Sequence, residues 1–503
     1  MRVLDVQNNL NMLLDGGIVN GKNERCQGEL LMKMRNIGGL PWYQNIFTLP
    51  PDPDKEFILG GRTYKEIYRL AAVISSIRSA EDNDHTVICL CTDDKALVAA
   101  SLVASLAGGP RLILPYAFSR QAIEEVCETM PVSFLLTDRP GDYPTGPSVI
   151  TPAMLDGDNT TRATFIDPNE PFLMLFTGGS TGKPKVWSKT PRNMLSEARY
   201  MSDKFAIAPD DLFLSTVPPQ HIYGFLFSVL IPFISSACVL DGVYTFPREI
   251  LRAAKNYKAS ILVSVPLHYR VLKTDDLQSH DLRMAFSSAG VLDKEDAAYF
   301  HDKTGLDVIE IYGSTETGGV AARRRLRDGE AWNALDPVNW KIRNGRLHVR
   351  SEFISPTLHR DAAGFFMTAD CADSDGNDRF VLRGRADDIV KVGGKRVDLS
   401  AIQAKIKRIP GVRDTVIVSI PTGNGRQNEL AALVATDLDV PHLRQHIATV
   451  SEAYAIPKRI VAVPEIPVTP AGKYDRAMIE RILRSGNEKL VTKDKGTRRQ
   501  HGT

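Results

Sequence analysis

Cysteine is scarce in this 503-residue chain, with only Cys26, Cys89, Cys91, Cys127, Cys238 and Cys371. None forms a C-x-x-C pair, and no histidine pair follows a cysteine pair at zinc-finger spacing, which excludes a disulfide scaffold and the usual structural zinc patterns. Net charge is almost absent too: 62 Lys plus Arg face 60 Asp plus Glu, a balance of +2. Such a chain projects no global field toward nucleic acid or an anionic membrane, so neither is expected as a partner. Long hydrophobic runs are also missing. The longest apolar stretch, Leu226 to Leu240, is interrupted by Pro232 and several serines and is too short to span a bilayer. Met1 to Asn20 mixes Asp and Asn into its apolar residues and lacks the order of a signal peptide. Buried free thiols in a reducing, cytoplasmic setting are therefore expected. Cys89 and Cys91, two apart in a predicted strand, should point to one face.

What is present is ordinary for a globular protein: 43% hydrophobic and 24% charged residues. At roughly 150 residues per domain the length predicts two to four structural units. From Arg484 onward six basic residues face two acidic ones, so residues 486–503 are expected to form a basic flexible tail. Thr63 followed by Glu66 predicts a capped helix over Thr63 to Ile77. Strands are predicted at Thr86 to Cys91, Arg111 to Leu114 and Val132 to Leu136, with a helix at Lys95 to Leu106. This alternation argues for an α/β fold with largely parallel sheets. Further strands are predicted at Pro171 to Phe176, Leu212 to Val217, Ile261 to Val265, Met284 to Ser287 and Val308 to Tyr312. After about Asn339 short antiparallel strands take over, with turns at Asn344-Gly345 and Asp375-Gly376. Asp398 to Ile482 reads as a small α+β unit.

The most informative segment is Thr177-Gly178-Gly179-Ser180-Thr181-Gly182-Lys183-Pro184-Lys185, which follows an apolar strand. Glycines let a backbone approach phosphate, N–H groups and hydroxyls donate to it, and lysine neutralises its charge. A Walker-type loop fails on spacing, because Thr177 stands where its first glycine should be. It also fails because Pro184 replaces the hydroxyl residue that would hold magnesium.

The loop resembles the phosphate-binding signature of the adenylate-forming superfamily of acyl- and aryl-CoA ligases, luciferase and peptide-synthetase adenylation domains. Five more segments resemble that superfamily's motifs in order: Pro218-Pro219-Gln220-His221-Ile222-Tyr223-Gly224, Tyr312-Gly313-Ser314-Thr315-Glu316-Thr317, Thr368-Ala369-Asp370, the stretch from Gly384-Arg385 to Gly393-Gly394, and Pro470-Ala471-Gly472-Lys473. The resemblance implies a large N-terminal domain, residues 1–385, with two α/β subdomains and a small β-rich part. It also implies a mobile α+β lid over residues 386–485 that turns about a hinge at Asp387.

By resemblance the reaction has two steps. A carboxylic acid and ATP give an acyl-adenylate, and a thiol then takes the acyl group. Thr177, Ser180, Thr181, Gly182 and Lys183 would hold phosphates, and Glu316 would bind Mg²⁺. Tyr312 and Gly313 would meet adenine, Thr315 the α-phosphate, Asp370 the ribose, and Arg385 the ribose or phosphate. Lys473 would be the catalytic lysine and His221 a gate between the acid and thiol sites. Gly393 and Gly394 would form the thiol-site loop. The acid pocket would draw on Tyr223, Gly224, Phe225, Ser228, Val265, Ser288, Ala289 and Gly290. CoA is the expected acceptor. Its alternative is the phosphopantetheine of an acyl carrier protein acting in trans, since no D-S-L-like attachment serine is seen. A homodimer is compatible with the residues, and a nonenzymatic nucleotide-binding scaffold is the reading of another class.

The chain departs from the pattern at Gly178, Val186 and Ala369, and Ser400 and Gln403 stand where an acidic pair is common. No Asp follows His221 to meet a substrate ammonium, and an unpaired buried ammonium is costly, so an aryl or aliphatic acid is expected rather than an α-amino acid.

Overall fold

A computed structural model of the chain describes residues 52–77, 86–139, 141, 143–155, 166–177, 184–274, 280–392, 395–421, 428–452, 455–469 and 472–485. The N-terminal segment read above, Gly178 to Lys183, Gly393, Gly394, Pro470, Ala471 and the basic tail lie outside them. By packing, the chain divides into a unit of residues 1–329, 334–338 and 350–359 and a unit of residues 330–333, 339–349 and 360–503. This grouping starts the second unit earlier than the 385/386 division read from the sequence, because the antiparallel strands after Asn339 pack within it.

The first unit holds two twisted sheets. One has the order β4-β3-β1-β2-β5-β6, built from β1 (Val87–Leu90), β2 (Arg111–Leu114), β3 (Phe134–Leu136), β4 (Ser148–Ile150), β5 (Leu173–Thr177) and β6 (Lys185–Lys189). Its pairings are parallel except β5 with β6. The Tyr64–Ser75 helix opens with the predicted capping box, Thr63 and Glu66 each accepting from the other's backbone. The Lys95–Leu106 helix is buried all round, as its Ala, Leu and Val content requires. Lys95 is tolerated there because its ammonium donates to the carbonyls of Leu240, at 2.6 Å, and Gly242. Cys89 and Cys91 are free and buried, with Sγ atoms 3.9 Å apart on one face, as their spacing predicts.

The second sheet of this unit comprises β7 (Leu212–Ser215), β8 (Cys238–Val239), β9 (Ile261–Ser264), β10 (Met284–Ser287), β11 (Val308–Ser314) and β12 (Gly318–Arg324), in the order β12-β11-β10-β9-β7-β8. All but β12 run parallel, so their carboxyl ends gather along one edge. Ligands of open α/β sheets bind along that edge.

In the second unit β13 (Ala331–Ala334), β14 (Asn339–Arg343), β15 (Arg346–Arg350), β16 (Phe366–Ser374) and β17 (Arg379–Arg385) form an antiparallel sheet ordered β14-β15-β16-β17-β13. Asn344 and Gly345 both have positive φ, which suits the tight β14–β15 turn. The hairpin of β18 (Ile389–Val392) and β19 (Lys395–Asp398) follows. Last comes the sheet of β20 (Val412–Pro421), β21 (Asn428–Thr436) and β22 (Arg459–Val463), covered by the Leu399–Lys407, Val440–Val450 and Arg476–Ser485 helices.

Candidate active site

β11 carries the chain from the core to the sheet edge. Ile309 and Ile311 are buried, and the register against β12 shifts at Tyr312/Gly313. There the backbone leaves the ladder in a bulge, a device that re-aims side chains. Ser314 and Thr317 close the following turn by reciprocal hydrogen bonds, each backbone N–H donating 3.2 Å to the other's hydroxyl. Thr315 and Glu316, half-buried, occupy its two central positions. The Glu316 carbonyl accepts from the Ser355 N–H at 2.9 Å. Gly318 has φ +66°, and a Cβ there would lie 2.5 Å from Glu197 Oε2 and 2.7 Å from Phe353 Cβ. Only glycine combines that angle with that approach.

Thr177 ends β5, and its hydroxyl accepts from Trp187 Nε1 at 3.1 Å. The other phosphate-loop residues read from the sequence, Ser180, Thr181, Gly182 and Lys183, lie outside the described residues. Past that loop stand two groups that sequence reasoning missed. Lys189 ends β6 fully buried, and burial draws its ammonium down to about 8 against the opposing pull of Glu197 and Glu316. Glu197, on the Pro191–Lys204 helix, is pushed up to about 7 by burial, offset in part by Lys189 and the Gly319 N–H. The spacing of polar residues at 189, 193 and 197 was the available signal, but a single sequence cannot show that they face inward.

The residues read from the sequence as an acid pocket follow the ends of β7, β9 and β10. His221 caps the Ile222–Phe225 turn half-buried, while Tyr223, Gly224, Phe225 and Ser228 are buried. Gly224 is obligatory, since a Cβ would sit 2.1 Å from the Pro218 carbonyl oxygen. Ser228 donates to the Gly224 carbonyl at 2.7 Å, so that hydroxyl serves its own helix. Residues Leu226–Leu230 form a π-helical turn, a feature frequent at functional sites. Tyr223 packs on Phe227 with centroids 5.0 Å apart, and burial pushes its phenol well up. Val265 precedes the Pro266–Val271 helix, and Gly290 lies against Pro266. Ser288 donates to the Ile311 carbonyl at 2.8 Å, tying the pocket to β11. Ala289 has φ +70°, a strained angle for alanine of the kind that gathers at ligand sites.

Sequence reasoning also missed Thr216, just past β7, Ser264, at the end of β9, and His268, in the Pro266–Val271 helix. His268 Nδ1 lies 2.6 Å from Thr216 Oγ1, and Ser264 Oγ lies 2.9 Å from the same atom. Burial lowers His268 from 6.5 to about 4. Above the higher value the imidazole is neutral folded or unfolded. As pH falls from 6.5 to 4 the unfolded chain takes the proton and the folded chain does not, so stability is lost. The loss should reach about 3 kcal/mol by pH 4. Urea unfolding at pH 7 and pH 4.5 checks this: His268→Gln should flatten the decline, and parallel declines in both proteins would refute it.

In the second unit β16 and β17 set Asp370 and Arg385 directly across from each other, beside a bulge. Asp370 is half-buried, and its N–H donates to Thr368 Oγ1 at 3.1 Å. Asp387 lies in the Ala386–Asp388 turn that leaves β17. Ser400 stands where an acidic residue is common and donates to Asp388 Oδ2 at 2.9 Å. Lys473 is exposed on a tight turn, its carbonyl accepting from the Thr469 N–H at 2.7 Å. The neighbouring Tyr474 hydroxyl binds the Asp414 carboxylate at 2.9 and 3.0 Å and anchors that turn.

The family model of AMP-binding enzymes matches residues 52–353. The chain belongs to the AMP-binding enzyme family. Among curated relatives, a mitochondrial acyl-coenzyme A synthetase, ACSM2 of Rattus norvegicus, is 25% identical over 62% of this chain. The chain spans 61% of that relative's length. An anthranilate–CoA ligase of Pseudomonas aeruginosa is 25% identical over 87% of this chain and 95% of its own. In fold, the chain resembles the ATP-bound crystal structure of MatB from Rhodopseudomonas palustris, with a TM-score of 0.75 and 18% identity over 89% of this chain and 99% of that one. Among the described residues of this AMP-binding enzyme, no cluster of three or more His, Cys, Asp or Glu could by itself hold a metal. Mg²⁺ that arrives with a nucleotide keeps phosphate and water oxygens and needs only one or two carboxylates, so Glu316 fits that demand. No described helix is long and apolar enough to cross a membrane.

Proposed function

We propose that this AMP-binding enzyme is an acid–thiol ligase. A carboxylate oxygen of the acid attacks the α-phosphorus of ATP, and pyrophosphate leaves. A thiolate then attacks the acyl carbonyl, and AMP leaves. The carrying observation is the half-buried Thr315–Glu316 turn at the end of β11, the strand whose Ile311 carbonyl accepts from Ser288, with the apolar residues Tyr223, Phe225 and Val265 buried in the same unit. One end supplies hard oxygen donors for a metal–phosphate group, and the other supplies apolar cover for an acid. Bound Mg²⁺ would neutralise phosphate charge.

Thr177, Ser180, Thr181, Gly182 and Lys183 hold phosphates, Thr315 donates to the α-phosphate, and Tyr312 and Gly313 bound the adenine. Asp370 holds the ribose, and Arg385, opposite it on the neighbouring strand, reaches the ribose or phosphate. Lys473 neutralises the charge that converges as the carboxylate meets the α-phosphate, and His221 gates the acid site from the thiol site. Asp387 is the hinge, and Gly393 and Gly394 line the thiol path. The N-terminal domain ends near Arg385, with the lid beyond it, and the setting is cytoplasmic. The pocket's apolar lining and the anthranilate–CoA ligase likeness favour an aryl or aliphatic acid, with CoA as acceptor.

Pyrophosphate release, screened over aryl, short-chain, long-chain and α-amino acids with CoA or a holo carrier protein as acceptor, tests this reading. Release with an aryl or aliphatic acid and acyl transfer to CoA is the expected result. Transfer to the carrier alone would replace the acceptor. ATP binding without release for any acid would overturn the reading in favour of a scaffold.

A further inference from the structure

Lys189, Asn193 and Glu197 form a buried polar file leading from the strand after the phosphate loop to the Glu316 turn. Asn193 and Glu197, four apart, share one face of their helix. Lys189 Nζ donates to the Phe353 carbonyl at 3.1 Å. Asn193 Nδ2 donates to the carbonyls of Glu352, at 2.6 Å, and Ile354, at 3.2 Å. Two residues on, the Ser355 N–H meets the Glu316 carbonyl. On the other side of the turn Glu197 Oε1 accepts from the Gly319 N–H at 2.7 Å. Among the described residues Glu197 Oε2 has no hydrogen-bond partner. The file thus grips the turn through residues 352–355 and through Gly318-Gly319.

Stability alone does not account for this arrangement. Lys189 is 0% and Glu197 2% exposed, and two charges taken out of water commonly contribute no more than well-packed apolar residues would. One carboxylate oxygen is left unsatisfied, which adds cost. What apolar residues could not supply is the set of four fixed polar contacts to the segments that hold the turn and a positive charge near Glu316.

We propose that Lys189, Asn193 and Glu197 are positioning residues that hold the Thr315–Glu316 turn in the geometry that receives the nucleotide phosphates. This rests on the ATP-binding part of the function proposed above and not on the acid or the acceptor.

A double-mutant cycle tests it, read by melting temperature and by ATP affinity, with and without Mg²⁺ and with no acid added. Lys189→Met and Glu197→Gln should each lower the melting temperature, because each removes one of two opposite buried charges that favour each other. The double variant should regain most of that loss. Its ATP affinity should stay about tenfold weaker than that of the parent, the cost of a slightly misplaced site. Wild-type melting together with wild-type ATP affinity in the double variant would overturn the proposal and make the pair a structural filler. Should the double variant fail to fold, Glu197→Asp decides. It keeps the charge but withdraws the acceptor from Gly319, so a similar weakening is expected, and undiminished affinity would overturn the proposal. Because no acid enters this measurement, a failed acid screen leaves it readable, whereas absent ATP binding in the parent protein would count against the proposed function itself.

Discussion

Lys473→Ala should lower acyl-adenylate formation by at least about a hundredfold, the scale set by removing one preorganised donor from a developing anion. Thioester formation from supplied acyl-adenylate should survive, because the carboxylate and α-phosphate no longer need bridging in that step. The backbone of the turn does not depend on the lysine side chain. Lys473 is exposed, and its turn is held by the Thr469 N–H to Lys473 carbonyl bond, by Gly472 at φ +71° and by the Tyr474–Asp414 contact. None of these contacts uses the ammonium. Pyrophosphate release and thioester formation are measured separately, and equal loss of both would remove Lys473 from the role proposed for it. The same two assays address Asp387: proline there should impair thioester formation and spare adenylation, and an unimpaired second step would count against the hinge.

Glu310→Ala should cost about 3–5 kcal/mol of stability, the range for removing one partner from a buried ion pair. Glu310 lies on β11, two residues before Tyr312, and is 2% exposed. Arg323 Nε donates to it at 2.8 Å and Arg325 Nε at 3.1 Å, and both guanidiniums are themselves buried. Without the carboxylate two buried cations lose the anion they share. Arg323 pairs with Glu310 in register across β11 and β12, so the strand that presents Tyr312 should loosen with it. The urea midpoint of Glu310→Ala should fall sharply, whereas replacing all three residues by apolar ones of similar volume should restore most of it. An unchanged midpoint for Glu310→Ala would show that the triad does not hold the sheet edge.

Local rules reached far into this fold. The Lys95–Leu106 helix and the Arg111–Leu114 and Met284–Ser287 strands lie where their residues place them, because each has its own stop signals or a continuous apolar run. Other elements differ. Gly318–Arg324 opens with two glycines and ends in two arginines, yet it is a strand, because Glu310 neutralises Arg323 and β11 offers it an edge. The apolar stretch from Leu226 is divided among a π-helical turn, a short helix started by Pro232 and a two-residue strand. Its residues are apolar on every side, so periodicity could not separate the parts.

The candidate site divides in the same way. By itself the sequence determined the order of the motifs, the superfamily they resemble, and the residues proposed for the chemistry, from Thr177 through Glu316 to Lys473. These are local properties: a glycine that a turn requires, a hydroxyl beside it, a lysine next to a glycine. Only the tertiary structure decided which distant buried polar groups meet. Lys189 meets Phe353, Glu197 meets Gly319 and His268 meets Thr216 across dozens to more than a hundred residues of chain. The free energy of such contacts depends on desolvation and close packing, and neither exists until the chain has folded.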